Sequence, residues 1–218
     1  MALLQPSTLE FLKELAAHNS KEWMDENRKW YQEERERVID LAKNLHDAFA
    51  TLETMPLVDP KKSLVRINNN RRFQPDKPLY KNNFGIMINR GEGNCGYFIN
   101  IEPGASFAGA GVYHPEKEQL AAIRHLVDTR GAELQKIVDQ ADFKKYFGEI
   151  HGAELKTAPR DYPKDHPFIH LLRKKDFTIM YALSDETLCS KNLVKTIKGA
   201  YQKGMPFMHF IDDALKLV

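Results

Sequence analysis

The sequence has few cysteines, almost no net charge and no long hydrophobic run. Cys95 and Cys189 are its only cysteines among 218 residues, which excludes a disulfide framework and a structural zinc site built from several thiolates. Its 32 basic and 30 acidic residues leave a formal charge of +2, so no strong overall field attracts the chain to nucleic acid or lipid. The N-terminus becomes charged too early for a signal peptide, and no apolar run approaches the length of a membrane span. We therefore expect a cytoplasmic protein with no membrane partner.

What the sequence does contain is the composition of a folded protein, with 42% hydrophobic and 28% charged residues. Its first segment predicts helices. Ser7 and Glu10 match a capping box with Ser7 as the N-cap, and Asn19 begins a similar pattern at the start of a much longer helix. We expect Pro56 to end that helix and the charged residues 33–37 to cover its outer face.

The rest of the chain predicts a sheet followed by further helices. Strands are expected at Leu64–Asn68, Phe84–Asn89, Gly96–Glu102, Ser106–Tyr113 and Phe177–Leu183, with a hairpin turn at residues 90–94. Helices are expected from Pro115 and over residues 132–138, 142–147, 167–174, 190–203 and 206–217. Hairpin-joined strands beside helices indicate one α+β domain over residues 1–218. Its mainly antiparallel β-sheet would be flanked by helices, including the long N-terminal one.

The most unusual stretch is RINNNRRFQPDKPLYKNNFG, residues 66–85. Seven basic residues between Lys61 and Lys81 face a single acid, Asp76, and crowded cations repel one another unless water or an anion screens them. We expect the Arg66 stem to be partly buried at a strand end, and two prolines to restrict the loop. Because guanidinium and ammonium groups suit phosphate and carboxylate, we predict a pocket for a phosphate-bearing anion that is bound by Arg66, Arg72, Lys77 and Lys81.

Other interpretations of this charge cluster stay open. The protein could be an enzyme in which the cations stabilise developing negative charge and Asp76, Tyr80 or His166 transfers protons. It could bind nucleic acid, although its near-zero net charge disfavours that partner. It could also be a structural or partner-binding protein whose arginines form internal ion pairs. The residues identify no cofactor and leave the oligomeric state open.

A possible metal pair lies later in the chain. His166 and His170 have the spacing of two ligands on one helical face. However, Pro167 disfavours helical conformation at the preceding residue, so we expect His166 to flank the helix and predict no metal site. Arg160, in a turn-rich segment, is predicted to reach the anion site from its own loop.

The basic stretch resembles the signature of a widespread, mostly bacterial family known as domain of unknown function 2461. The residues on matching positions are Arg66, Arg72, Phe73, Asp76, Lys77, Tyr80 and Lys81. The segment FLKELAAHNSKEWMDENRKWY is similar to the family's opening, and SFAGAGVYHPE and HPFIHLLRKKDF are similar as well. Asn70 differs, because it stands where the family pattern has an acid.

This resemblance covers nearly the whole chain and implies an α+β fold. It implies no reaction, because the family has no established activity. The similar segments also include Lys175, which we therefore predict as a further ligand of the anion. The alternative for residues 173–175 is a favourable interaction with the dipole of the preceding helix, worth about 0.3–1 kcal/mol.

Overall fold

The computed structural model describes residues 3–72, 74–91 and 95–218, and its helices and strands form an α+β fold. The helices are α1 (Pro6–Ala17), α2 (Lys21–Glu26), α3 (Arg28–Phe49), α4 (Lys117–Val138), α5 (Ala141–Phe147), α6 (Ile169–Leu172), α7 (Asp185–Leu188) and α8 (Leu193–Leu215), with a 3₁₀ turn at Pro60–Ser63. The strands are β1 (Phe84–Ile88), β2 (Gly96–Ile101), β3 (Ser106–Val112) and β4 (Phe177–Leu183). They form one antiparallel sheet in the order β1-β2-β3-β4, which confirms the predicted fold class.

Most of the strand predictions are confirmed. β4 has the predicted bounds, and β1, β2 and β3 each end one residue earlier than expected. The predicted strand Leu64–Asn68 is reduced to two isolated antiparallel bridges, at Leu64 and at Asn68. The predicted hairpin turn includes residues 92–94, which lie outside the described residues.

The N-terminal cap prediction was wrong. Helix α1 begins at Pro6, with Gln5 rather than Ser7 as its N-cap, because proline suits the first helical position, where no amide hydrogen is needed. The hydroxyls of Ser7 and Thr8 instead donate to the carboxylate of Glu34, at 2.7 and 2.6 Å. Glu34 is only 2% exposed, so the expectation that residues 33–37 cover the outer face fails at this position.

The long N-terminal helix is broken into two. Asn27 leaves the helical conformation (φ −100°, ψ 18°) between α2 and α3, and its side chain donates to the carbonyl oxygen of Trp23 at 2.9 Å. The backbone amide of Asn27 donates to the same oxygen at 2.9 Å, so Asn27 closes the last turn of α2 with both its main chain and its side chain. Helix α3 then ends at Phe49, several residues before Pro56, which therefore does not terminate it.

The C-terminal helices differ in length from the predictions. The helices predicted from Pro115 and over 132–138 are one helix, α4, with a kink at Arg130 (φ −124°, ψ 23°). The pair predicted over 190–203 and 206–217 is the single helix α8, which runs through Pro206. Helix α6 covers only Ile169–Leu172. Residues 174 and 175 therefore lie beyond it, and the helix-dipole interpretation fails for them.

The chain divides into two compact units. The first unit comprises the described residues of Met1–Ile88, together with Phe98–Ala108 and Ala182–Lys198. Its core centres on Phe11, which is fully buried and lies 5.4–6.0 Å (ring centroids) from four aromatic rings, those of Trp23, Trp30, Tyr31 and Phe84. Such edge-on and offset pairs add about 0.5–1.5 kcal/mol each beyond the area that they bury.

The second unit comprises the described residues of Asn89–Tyr97, with Gly109–Tyr181 and Gly199–Val218. Its fully buried rings include Tyr97 and Tyr201, whose centroids are 4.3 Å apart. The Tyr201 hydroxyl donates to the carbonyl oxygen of Gly109 at 2.9 Å. Gly111 has φ 123°, and a Cβ there would lie 2.1 Å from the Phe177 carbonyl oxygen, so this glycine permits the close backbone approach that the sequence predicted for β3.

Candidate functional site

The basic loop, residues 70–78, is closed at its base by two paired backbone segments of the first unit. The Asn69 amide donates to the Leu79 carbonyl at 2.9 Å, and the Lys81 amide donates to the Ile67 carbonyl at 2.8 Å. The Val65 amide continues the pairing towards β1. These bonds give the two ends of the loop a defined position although the loop itself is exposed.

Asn19 attaches this loop base to the N-terminal helices. Its side chain donates to the Tyr80 carbonyl oxygen at 3.0 Å and accepts from the Tyr80 amide at 2.9 Å. A side-chain amide that pairs with both backbone groups of one residue fixes that residue in position and orientation. Asn19 therefore fixes the residue directly before Lys81.

A cleft of about 540 Å³ lies beside the loop base. Two lysines and four asparagines contribute to its lining, which consists of Ala16, Asn19, Asn69, Lys77, Pro78, Tyr80, Lys81, Asn82 and Asn83. The volume is within the range of about 300–1,000 Å³ that is typical of small-molecule sites. The cleft thus combines positive charge with neutral hydrogen-bonding groups.

Lys81 is the most constrained cation of the cleft. Its ammonium group donates to the carbonyl oxygens of Arg66 and Asn68, at 2.6 and 2.8 Å. Partial burial lowers its pKa below the ordinary value, and the positive charges of Arg66 and Lys77 lower it further. Two of the other predicted basic ligands, Arg66 and Lys77, therefore act electrostatically on Lys81.

These three cations have no acidic partner in the described part of the chain. Neither Arg66, Lys77 nor Lys81 forms an ion pair with a carboxylate there. The nearby acid Glu102 is instead held by the side-chain amides of Asn82 and Asn100, at 2.8 and 3.1 Å. The positive charge of the cleft is therefore not neutralised by these groups.

The remaining loop residues are exposed. The guanidinium of Arg71 donates to the Pro75 carbonyl oxygen, with its Nε at 2.9 Å, and the Arg72 amide donates to the Asn70 side chain at 3.1 Å. Asp76 is exposed in a turn. Arg66 is exposed as well, which contradicts its expected partial burial, because only isolated bridges at Leu64 and Asn68 form in place of the predicted strand. Phe73 lies outside the described residues.

The other predicted site residues, Arg160, His166 and Lys175, belong to the second unit. Arg160 and Lys175 are exposed. His166 lies outside α6, as predicted, and uses both ring nitrogens: Nε2 is 3.1 Å from a carboxylate oxygen of Asp128, and Nδ1 accepts from the Phe168 amide at 3.1 Å. Over residues 3–72, 74–91 and 95–218, no group of three or more histidine, cysteine or acidic side chains could hold a metal ion.

A second polar group in the same unit was missed by the sequence analysis. Asp176 is 1% exposed and one of its carboxylate oxygens lies 3.2 Å from Nδ1 of His114, whose ring is exposed. His114 is the one non-glycine residue with positive φ (51°) among the described residues. Both residues lie at the ends of segments that resemble the family, SFAGAGVYHPE and HPFIHLLRKKDF, but nothing in the local patterns connects them.

A third polar group of this unit is fully buried. The Arg90 guanidinium lies 2.9 Å from Asp212 and 3.1 Å from the Cys95 sulfur, and the Cys95 amide donates to Asp212 at 2.7 Å. Burial, reinforced by the Asp212 charge, strongly raises the pKa of the Cys95 thiol. Since the thiolate is the reactive form, Cys95 is chemically inert here.

Comparison with known proteins identifies one family. The model of the family described as "Conserved hypothetical protein (DUF2461)" matches residues 7–210. No curated protein sequence matches the chain, and no solved structure does. None of the described helices is both long and apolar enough to span a membrane.

Proposed function

The chain belongs to the DUF2461 family of conserved hypothetical proteins, and we propose that its cleft binds a small anion bearing phosphate groups. Arg66, Lys77 and Lys81 would supply the positive charge, with Arg72 contributing from the exposed loop. The family description names no reaction, so the proposal depends on the chemistry of the cleft.

One observation carries the proposal: Lys77 and Lys81 line the cleft, Arg66 lies close enough to act on Lys81, and none of the three has a carboxylate partner among the described residues. Their mutual repulsion destabilises the folded protein, and an anion would relieve it. Partial burial lowers the pKa of Lys81, and this repulsion lowers it further. Binding of a phosphate would therefore favour the protonated form of Lys81.

The neutral lining supports a small ligand. Asn19 and Asn69 each use their side-chain amide on backbone carbonyls at 3.0 Å, which holds the cleft wall in place before a ligand arrives. A wall that is already ordered lowers the entropic cost of binding. The cleft volume of about 540 Å³ fits a phosphorylated metabolite better than a polymer.

Proton transfer is proposed as a lesser alternative. Tyr80 lines the cleft and is only 8% exposed, so it is the predicted catalytic candidate that lies beside the cations. Asp76 is a weaker candidate for proton transfer, because it is exposed in a turn. We therefore propose anion binding as the function. If the protein also catalyses a reaction, replacement of Tyr80 should lower its rate.

The test measures the thermal midpoint and Kd with inorganic pyrophosphate, a hexose phosphate, ATP and a short oligonucleotide. A ligand that binds only the native state raises the midpoint by mass action. Lys81→Met should weaken pyrophosphate binding about tenfold, or roughly 1.4 kcal/mol, because it removes one charge-assisted contact. Lys77→Met serves as a second variant, since its exposed side chain is replaceable at little cost to folding.

Lys61→Met is the matched control. Lys61 is exposed in the 3₁₀ turn and does not line the cleft, yet its loss changes the net charge by the same amount. Its Kd for pyrophosphate should stay within about twofold of wild type. The proposal fails if no phosphate probe raises the midpoint, or if both cleft variants bind as wild type does. A response to the oligonucleotide alone would favour a nucleic-acid partner instead.

A further inference from the structure

His114 has a backbone conformation that its sequence context disfavours. It has φ 51° and precedes Pro115, and a residue before proline normally adopts an extended conformation with negative φ. Histidine tolerates the left-handed region better than most residues, but the position still needs support from the surrounding structure. An unusual backbone conformation of this kind is a reason to examine the site for function.

Asp176 supplies that support. One carboxylate oxygen accepts the His114 amide at 2.7 Å, and the other accepts the Ala153 amide at 2.8 Å. Gly152 permits this approach, because a Cβ there would lie 2.4 Å from the Cβ of Asp176. The buried carboxylate is therefore fixed by two backbone donors from segments far apart in the chain.

The same carboxylate orients the imidazole of His114. The oxygen that accepts the His114 amide lies 3.2 Å from Nδ1. Because a carboxylate only accepts hydrogen bonds, this contact favours the neutral tautomer with its hydrogen on Nδ1 and its lone pair on Nε2. Nε2 has no hydrogen-bond partner among the described residues, and the side chain is 69% exposed. The basic nitrogen is thus available to a molecule from solution.

An aromatic platform lies next to this nitrogen. The ring of Tyr113 contacts that of His114, with centroids 3.8 Å apart and the ring planes tilted by 37°, and Tyr113 is 69% exposed. An exposed tyrosine ring can stack with a flat group of a ligand. A ligand with an aromatic group would therefore have an exposed ring to contact beside the imidazole of His114.

We propose that His114 and Asp176 form a second site, in which His114 acts as a general base towards aryl esters, whose leaving oxygen is bonded to an aromatic ring. As water attacks the ester carbon, Nε2 accepts one of its protons and a new carbon–oxygen bond forms. The bond to the leaving oxygen then breaks, and the imidazolium returns the proton to that oxygen, which gives a carboxylic acid and a phenol. Asp176 is a positioning residue whose carboxylate stabilises the imidazolium.

This site is independent of the anion cleft, because its residues belong to the second unit. A purely structural role for Asp176 would explain its two amide bonds but requires no particular ring tautomer. The tautomer of His114 therefore distinguishes the two roles. In ¹⁵N-labelled protein, long-range ¹H–¹⁵N correlation spectra should show hydrogen on Nδ1 of His114 in the neutral form. Asp176→Asn should abolish that preference.

Hydrolysis of 4-nitrophenyl acetate tests the reaction itself. His114→Asn keeps the backbone amide and a residue type that tolerates positive φ, but it removes Nε2. Its rate of catalysed hydrolysis should fall at least about tenfold, at the low end of the effect of a general base. His125→Asn is the control, because His125 is also exposed and has no carboxylate partner among the described residues; its rate should equal that of wild type.

Three results would overturn the proposal. The first is a rate of hydrolysis by the wild-type protein that is no higher than that of His114→Asn. The second is an equal loss of hydrolysis rate in His125→Asn. The third is a neutral His114 that carries its hydrogen on Nε2. If His114→Asn is unstable, the spectrum of the wild-type protein still decides the tautomer. Failure of this site leaves pyrophosphate binding at the cleft unaffected, so the two proposals fail separately.

Discussion

Arginine occurs in two opposite settings in this molecule. Arg90, in the second unit, has a side chain 2% exposed and lies 2.9 Å from the equally buried Asp212, with its guanidinium over the ring of Tyr97. Arg66, in the first unit, is exposed and lies close enough to Lys81 to lower the pKa of that lysine. The first arginine is neutralised within the protein, and the second adds to uncompensated charge.

The contrast shows what the residue type alone leaves undecided. A buried guanidinium loses its hydration and needs a carboxylate and further hydrogen bonds, so the Arg90 group is a structural feature. An exposed guanidinium keeps its hydration and can exchange water for an anion. The interpretation that the arginines form internal ion pairs therefore describes Arg90 well and Arg66 poorly.

The largest expected effect is on the free energy of unfolding, when the buried ion pair between Arg90 and Asp212 is broken. Arg90→Met should lower the free energy of unfolding by about 3–5 kcal/mol, because it leaves the Asp212 carboxylate buried without its charge partner. Urea denaturation measures this change. Arg66→Met is the control and should change the stability by less than about 0.5 kcal/mol. Similar losses in both variants would remove the distinction between the two arginines.

The next effect is on binding, at the loop. Arg72→Ala should weaken pyrophosphate binding about fivefold to tenfold, since it removes a charged group able to bind phosphate oxygens in pairs. Its free energy of unfolding should change much less than its binding free energy, because Arg72 is exposed. Calorimetric titration and urea denaturation of the same variant give both quantities. Unchanged affinity, or simple unfolding, would contradict the prediction.

The smallest effect is on the titration of Lys81. Its pKa should be lower than that of exposed lysines, and Arg66→Gln should raise it towards the ordinary 10.5, because one of its repelling charges is removed. NMR of ¹³Cε-labelled lysines measures this directly. Between the lowered pKa and 10.5 the unfolded chain holds more protons at this position, so the contribution of Lys81 to stability rises with pH across that interval. An unchanged pKa in Arg66→Gln would show that the two cations do not interact.

The regular elements were largely predictable because their signals are local. The β-branched and aromatic residues of β4 and the turn residues around β2 and β3 are signals carried by near neighbours in the chain. The errors came from single residues given too much weight. Pro206 was expected to begin a separate helix, yet the buried residues Tyr201, Met208 and Ile211 continue one helical period across it. Their packing offsets the roughly 3 kcal/mol that an interior proline costs.

The candidate sites were predictable in part. Concentrated charge in residues 66–81 indicated the cleft, since composition and prolines are visible in the sequence. The role of Asn19 was not, because its two bonds to Tyr80 span 61 positions. His114 and Asp176 are separated by 62 positions, and neither belongs to a recognisable catalytic motif. Contacts at such separations leave no periodic trace in one sequence.

The sequence by itself determined the α+β character, the strand positions and the presence of a basic loop, because each follows from residues close together in the chain. Tertiary structure alone decided which cations meet at a common cleft, which arginine is buried with an acid and which carboxylate orients an exposed imidazole. The physical reason is that charge and hydrogen-bonding capacity belong to a residue, whereas hydration and partners belong to the place where the folded chain puts it.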